Sequence, residues 1–348
     1  MKTYRVAIVG LGRMGSTIDD EVRDMPGRWL PYSIAGAVKE SDRLEFAAGA
    51  DLLPEKRDAF KERWGVTALY EDYLDMIDKE KPDMVAICTK GDVHADMAVK
   101  VADKGVPMVY LEKAMACSMT EADAVLEAYQ RNNTLLNTGV LRRFHQGYHH
   151  ARRLVEAGEI GEPKAVVHFA GSSLLHGHIH SIDTIMYLLG DPKPLRVSGE
   201  LRPADQPWEG RRLGRDPGAV YRIEFEGGLE GYTVPFGQWE FEIVGAAGSL
   251  RTMNNGSGWA MRKSVPVSAK RSSWKDVPYP PPEITMSSTV YCLEDLVGAL
   301  EEGRPPLGNV EVTHASTEAC LAVAESHLLG GVKVELPLPQ RDLYIWHV

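Results

Sequence analysis

Tyr4-Arg-Val-Ala-Ile-Val-Gly10-Leu-Gly12-Arg-Met-Gly15 opens on a short apolar run and breaks into three spaced glycines. A run this uniformly apolar reads as a strand covered on both faces, which is the habit of a parallel sheet. The first glycine permits a tight turn and the second lets the backbone approach a pyrophosphate. The third lets the following helix pack close to the strand, with the diphosphate at the helix N-terminus. Strand, glycine turn and helix in that order predict a dinucleotide-binding unit contacted through Gly10, Gly12, Arg13, Met14 and Gly15.

The same alternation continues outward. Leu44–Ala50, Met84–Cys88, Val106–Leu111 and Leu135–Val140 are apolar runs of strand length. Between them, Pro54–Trp64, Asp92–Lys104 and Thr120–Asn132 carry helical periodicity. Strands separated by helices imply right-handed crossovers and a doubly wound parallel sheet. One stretch interrupts the pattern: Asp24-Met-Pro-Gly-Arg-Trp-Leu-Pro-Tyr-Ser precedes Ile34–Lys39 and is expected to be an ordered loop near the cofactor mouth.

After Gln146 the pattern changes. A helix over Tyr148–Ala157 ends at Gly158, and a strand follows at Lys164–Ala170. Alternating segments then run to about Val267, divided by turns such as Glu226-Gly-Gly228 and Asn254-Asn-Gly256, and predict a mostly antiparallel sheet. Two helices, Tyr291–Glu301 and Val312–Leu329, come last. The expected fold is α/β: a doubly wound parallel domain over 1–142, then an α/β domain with a mostly antiparallel sheet over 143–348.

Composition narrows the function. A chain of 348 residues, 44% hydrophobic and 25% charged, has the make-up of a globular protein, and no apolar run could span a bilayer. A formal net charge of −10 argues against a nucleic-acid surface, so Arg211-Arg212 and Lys270-Arg271 read as solvated loop charges. The start of the chain lacks a cleavable secretory pattern, so a cytoplasmic location is expected. Four scattered cysteines form no metal-binding pair.

Candidate chemistry sits at the predicted strand ends, where open parallel sheets bind ligands. Asp51 follows the second strand and suits the adenosine ribose; its charge repels a 2′-phosphate and favours NAD, while Lys56 and Arg57 leave NADP open. A capping role for Asp51 on the helix from Pro54 is the plainer alternative. Thr89 and His94 follow one strand, and Glu112 and Lys113 another, both facing the expected nicotinamide. Further on, His176-Gly-His178-Ile-His180-Ser-Ile-Asp183 stands out. If 176–189 is helical, His176, His180, Asp183 and Tyr187 form one polar stripe beside an apolar one. If the run were instead a strand, His176, His178 and His180 would share a face and suit zinc; the helical pattern disfavours that, and no metal is expected.

Taken together, Gly10-x-Gly12-x-x-Gly15, Ile87-Cys-Thr89 with His94, Glu112-Lys113, Arg143-Phe144, Gly158-Glu-Ile-Gly161-Glu-Pro163 and His180-Ser-Ile-Asp183 resemble the Gfo/Idh/MocA oxidoreductases, relatives of glucose–fructose oxidoreductase and inositol dehydrogenase. That resemblance implies a Rossmann domain over 1–142 joined to a substrate-binding and oligomerisation α/β domain with an open sheet over 143–348. It also implies hydride transfer between NAD or NADP and a secondary hydroxyl of a sugar, inositol or related polyol. It implies Lys113 and His180 as catalytic groups, with His176 beside them. Arg143, His176, Asp183 and Tyr187, with Lys113 and His180, are the expected substrate contacts, and a homodimer or homotetramer through the second sheet is the expected assembly. Two positions depart from the family pattern: Ala114 replaces a proline after the lysine, and His176 replaces an aspartate one turn before the histidine. Ala114 is expected to loosen the lysine's turn. The rival readings are a redox-neutral enzyme with tightly held NAD (an epimerase, lyase or glycosidase) and a non-catalytic sugar-sensing regulator.

Overall fold

The computed structural model describes residues 2–25 and 29–347. The chain forms two compact units. The first comprises Met1–Phe144, Thr285–His314 and His347–Val348, and the second His145–Ile284 and Ala315–Trp346. Residues 285–314, expected in the second domain, thus belong with the first.

In the first unit, β1 (Tyr4–Val9), β2 (Leu44–Ala50), β3 (Leu69–Tyr70), β4 (Met84–Ile87), β5 (Met108–Leu111) and β6 (Leu135–Thr138) make one sheet in the order β3-β2-β1-β4-β5-β6. Every pairing is parallel. The reversal of strand order beside β1 is the switch point at which doubly wound sheets bind ligands. β5 starts two residues later than its apolar run because Pro107 has no amide to give to a ladder. Val6, Ile8, Met84, Ala86, Met108 and Tyr110 are buried in one core with Leu293, Leu296 and Val297 of the helix Ser288–Glu302. Asn137, at the end of β6, fixes that helix by donating to Cys292 O (2.9 Å) and Asp295 Oδ2 (3.0 Å). The apolar stripe of Ser288–Glu302 finds its cover here, which explains its return to the first unit.

Residues 26–28 of the inserted stretch lie outside the described residues. Beyond them, Ser33 caps the helix Ile34–Glu40, its Oγ accepting from Gly36 N at 3.1 Å. Asp19 in turn accepts from Ser33 N at 3.1 Å.

The second unit carries β7 (Pro163–Phe169), β8 (Pro194–Arg202), β9 (Arg212–Leu213), β10 (Gly218–Phe225), β11 (Glu230–Val234), β12 (Glu240–Gly245), β13 (Gly248–Met253), β14 (Gly258–Ser268), β15 (Arg271–Val277), β16 (Val334–Glu335) and β17 (Tyr344–Ile345). Nine of them form one sheet in the order β15-β14-β13-β12-β7-β11-β10-β8-β16, while β17 pairs with β9. Within the nine-stranded sheet only β7 with β11 is parallel, so the sheet is mostly antiparallel, as the alternating pattern predicted.

The basic pairs need correction. Arg211 bonds Glu325 Oε2 at 2.6 Å and Asp342 Oδ1 at 2.9 Å, and Arg212 stacks on the Tyr344 ring at 3.9 Å. Arg271 opens β15 rather than lying in a loop. Arg211 and Arg212 are placed by carboxylates and a ring more than a hundred positions away, while Lys270 is an exposed turn residue, as expected. Among the described residues no helix is long and apolar enough to cross a membrane.

Candidate active site

In the first unit, β1 ends in Gly10 with φ +89°, a conformation that excludes ordinary side chains. A Cβ there would also meet Cys88 O at 2.7 Å, and one on Gly15 would meet Gly10 O at 2.1 Å. At Gly12 a Cβ would find nothing within 4 Å. Two glycines are therefore required by the protein's own packing, and the third opens onto free space, the division of labour that a pyrophosphate cradle needs. Ser16 N and Thr17 N bond Gly12 O at 2.8 and 3.3 Å, so the turn after the cradle begins as a wide π-type turn, Arg13–Thr17. Its leading amides are those a helix leaves without an internal acceptor. Met14 is half-buried, whereas Arg13 is exposed and forks onto Glu21 at 2.7–3.0 Å. That charge-assisted bond holds the Arg13 guanidinium above its usual pKa.

Asp51 ties this loop down. Its Oδ2 accepts from Leu11 N at 2.9 Å and its Oδ1 from Leu53 N at 3.0 Å. The bond to Leu53 N closes a turn ahead of the helix Pro54–Trp64, whose N-cap is Leu53 with no side-chain cap. Asp51 therefore braces the loop rather than capping that helix, and each oxygen retains a further lone pair. Arg57 is folded onto the carbonyls of Asp51 (2.6 Å) and Leu52 (3.1 Å).

The ends of β4 and β5 are joined by His94. Its ring is buried, with Nδ1 2.8 Å from Ala114 O and Nε2 3.2 Å from Thr89 O. Burial pushes its pKa below that of an ordinary histidine, and the neutral ring, with one N–H, donates to one of these two carbonyls, Ala114 O being the nearer. Thr89 Oγ1 lies 3.4 Å from Met97 Sδ. The peptide Lys113–Ala114 is cis, and Ala114 is buried. The lysine's turn, expected to be loosened by the missing proline, is thus held by a hydrogen bond. Glu112 is buried beside Gly139, accepts from Tyr110 OH and takes Lys113 N at 3.2 Å. Lys113 itself is half-exposed. His347, which pattern alone did not mark, is buried in the same unit with Nε2 3.3 Å from Lys113 O. Arg143, expected to touch substrate, is fully buried and donates to Leu307 O at 3.3 Å.

In the second unit the histidine run is helical, but not throughout. Leu174–His178 forms a π-type turn and the α-helix begins at Ile179, running to Leu188. His180, Asp183 and Tyr187 keep the 3- and 4-residue spacing of one face. His176 belongs to the wider turn and falls out of that register. The three histidines accordingly share no strand face. Among the described residues no group of three or more His, Cys, Asp or Glu is placed to hold a metal ion.

His176 is exposed, and its amide and that of Leu175 bond the Asp216 carboxylate at 2.7 and 2.9 Å. Burial outweighs those bonds and raises the Asp216 pKa. His180 is half-exposed, with its carbonyl taken by Thr184 Oγ1 at 2.7 Å. Asp183 is buried. Tyr187 is buried too, its ring 5.6 Å from His149 and 4.7 Å from the Arg152 guanidinium. Beneath the helix, His178 Nδ1 lies 3.0 Å from Ser181 Oγ, which lies 2.7 Å from Tyr221 OH. Asp216 and Tyr221 carried no pattern that could mark them, because their partners His176 and Ser181 lie forty residues off.

Comparison with known proteins agrees with this geometry. Residues 4–140 match the GFO_IDH_MocA model, described as an oxidoreductase family with an NAD-binding Rossmann fold. The chain is 27% identical over 345 residues to scyllo-inositol 2-dehydrogenase (NAD(+)) of Bacillus subtilis, covering 90% of this chain and 93% of that protein. Two solved structures share the fold across both units. An aldose-aldose oxidoreductase from Caulobacter crescentus, complexed with glycerol, aligns at TM-score 0.76 and 21% identity, covering 96% of this chain and all (100%) of that one. A levoglucosan dehydrogenase, in complex with NADH and levoglucosan, aligns at TM-score 0.75 and 18% identity over 97% of this chain and 100% of that one. With its glycine cradle and strand-end lysine, the segment 4–140 carries the NAD-binding Rossmann domain of the Gfo/Idh/MocA oxidoreductases, and the chain is similar along nearly all of its length to a dehydrogenase.

Proposed function

We propose that this protein is an NAD-dependent dehydrogenase that oxidises a secondary hydroxyl of an inositol, sugar or related polyol. The observation that carries the reading lies within one sheet edge. The glycine cradle after β1, the Thr89 turn after β4 and the Glu112-Lys113 turn after β5 follow three adjacent parallel strands. A dinucleotide laid on the cradle extends along that edge toward the lysine. The likeness to a relative named as an inositol dehydrogenase supports the substrate class.

Bound NAD would supply the hydride acceptor. Arg13, Met14 and the leading amides of their turn would hold its diphosphate, and Asp51 would accept from the ribose and disfavour NADP. Thr89 and Glu112 would line the nicotinamide end, with His94 bracing their turns. The Lys113 ammonium would donate to the substrate hydroxyl oxygen and stabilise the negative charge that grows there. Nε2 of His180 would receive the hydroxyl proton; an unperturbed imidazole pKa of about 6.5 suits a base at neutral pH. Exposed His176 would bind a neighbouring hydroxyl. Asp183, one turn beyond His180 on the same face, would orient it. Buried Arg143 and Tyr187 would act by holding the elements that carry these groups. A homodimer or homotetramer through the nine-stranded sheet belongs to the same reading and is measured by sedimentation.

A panel of inositols, aldoses and anhydrosugars offered with NAD and with NADP tests the proposal through cofactor reduction. Net NADH formation with a polyol supports it. Absence of reduction across the panel, with substrate nonetheless converted while cofactor stays bound, replaces it with redox-neutral catalysis.

A further inference from the structure

We infer that His347 is a positioning residue for Lys113, clamping the lysine's backbone from the side opposite to His94 in sequence. The inference rests on the role just proposed for Lys113. Two consecutive carbonyls of this turn each face an imidazole: Lys113 O lies 3.3 Å from His347 Nε2, and Ala114 O lies 2.8 Å from His94 Nδ1. His347 is 1% exposed, and His94 is equally buried.

Gly91 shows that the place of the His347 ring is built. An ideal Cβ on Gly91 would lie 2.2 Å from His347 Cδ2, 3.0 Å from Cγ and 3.1 Å from Nε2. Gly91 is not among the residues with positive φ, so its backbone would accept alanine. The ring requires the glycine there, and the fold of the loop does not. Ala114 brings no ring of its own to stiffen the turn. A neutral His347 with its proton on Nε2 donates to Lys113 O, and fixing that carbonyl fixes the direction in which the lysine leaves the backbone. A long flexible stem gains most from a fixed root, because a shift of about 1 Å in a catalytic group can cost 10²-fold in rate.

The experiment is a double-mutant cycle on the full chain. His347→Ala is expected to lower kcat by about ten- to a hundredfold while the KM for NAD stays put. His347→Gln, whose amide can reach the same carbonyl, is expected to restore most of it. Gly91→Ala, which displaces the ring without removing it, should lower kcat in the wild type and add nothing in the His347→Ala background. Amide hydrogen exchange across residues 111–117 should quicken in both single variants. Wild-type kcat in His347→Ala overturns the inference. So does a fall in kcat that Gln fails to restore and that tracks a lowered melting temperature. If the wild type reduces NAD with no polyol, the functional reading fails separately. Exchange then decides the clamp alone: faster exchange supports it and unchanged exchange overturns it.

Discussion

Asp51 Oδ2 accepts the Leu11 amide at 2.9 Å, so the residue that follows β2 holds the glycine turn that follows β1. The same carboxylate accepts Leu53 N in the turn that leads into the next helix. Hydrogen bonds to a charged acceptor are worth about 1.5–3 kcal/mol each. Asp51→Ala should therefore weaken NAD binding by at least about tenfold and move the NAD:NADP ratio of kcat/KM toward NADP. A ratio that does not move would remove Asp51 from cofactor choice.

Gly12 and Gly15 are predicted to fail in different ways. At Gly15 an added methyl would strike Gly10 O, so Gly15→Ala should cost about 1–3 kcal/mol in the apoprotein, read as a lower melting temperature. At Gly12 a methyl meets no protein atom within 4 Å, and φ is −84°. Gly12→Ala should leave the melting temperature in place and weaken NAD in titration calorimetry. Equal affinity in Gly12→Ala would show that no pyrophosphate lies over this glycine.

Lys113→Met and His180→Ala should each lose most of kcat with NAD affinity retained. The loss expected for removing a general base at His180 is about 10²–10⁴-fold. Unchanged turnover in either variant would exclude that side chain from the chemistry. Arg143→Met is expected to lower stability before activity, since the guanidinium is fully buried against Leu307 O.

Acid should loosen the second unit through His178. Burial lowers its pKa to about 4, below the ordinary value of 6.5. Its stabilising contribution is complete above pH 6.5 and fades as pH falls toward 4, because the unfolded chain binds the proton first. Two and a half units correspond to about 3 kcal/mol. Thermal melts between pH 7 and 4.5 should show this limb, and His178→Asn should flatten it. An equally steep limb in the variant would assign the acid sensitivity to other groups.

Much of the fold was legible because its cues are local. The uninterrupted apolar runs around Val6–Val9 and Met84–Ile87 predict doubly covered strands, and the glycines between β1 and its helix predict the cradle. Pro54–Trp64 reads as a helix end to end. The two-residue β3 and the eight-residue helix Tyr73–Glu80 were missed because both are brief, although the helix is amphipathic and capped by Asp72. In the histidine run, helix against strand could be read from downstream periodicity, but the π-type turn that moves His176 off the stripe could not. That turn is set by Asp216 gripping two amides from forty residues away.

The amino-acid order alone determined the parallel Rossmann architecture, the glycine roles and the strand-end address of Glu112 and Lys113, since periodicity and turn chemistry act over a few neighbouring residues. Tertiary structure decided which distant segments complete each unit. It returned Ser288–Glu302 to the first core, stacked Arg212 on Tyr344, and brought His347 beneath a carbonyl 234 positions earlier. Such contacts form only when packing closes long loops, and an imidazole that finds its acceptor in that way leaves no periodic trace in the chain.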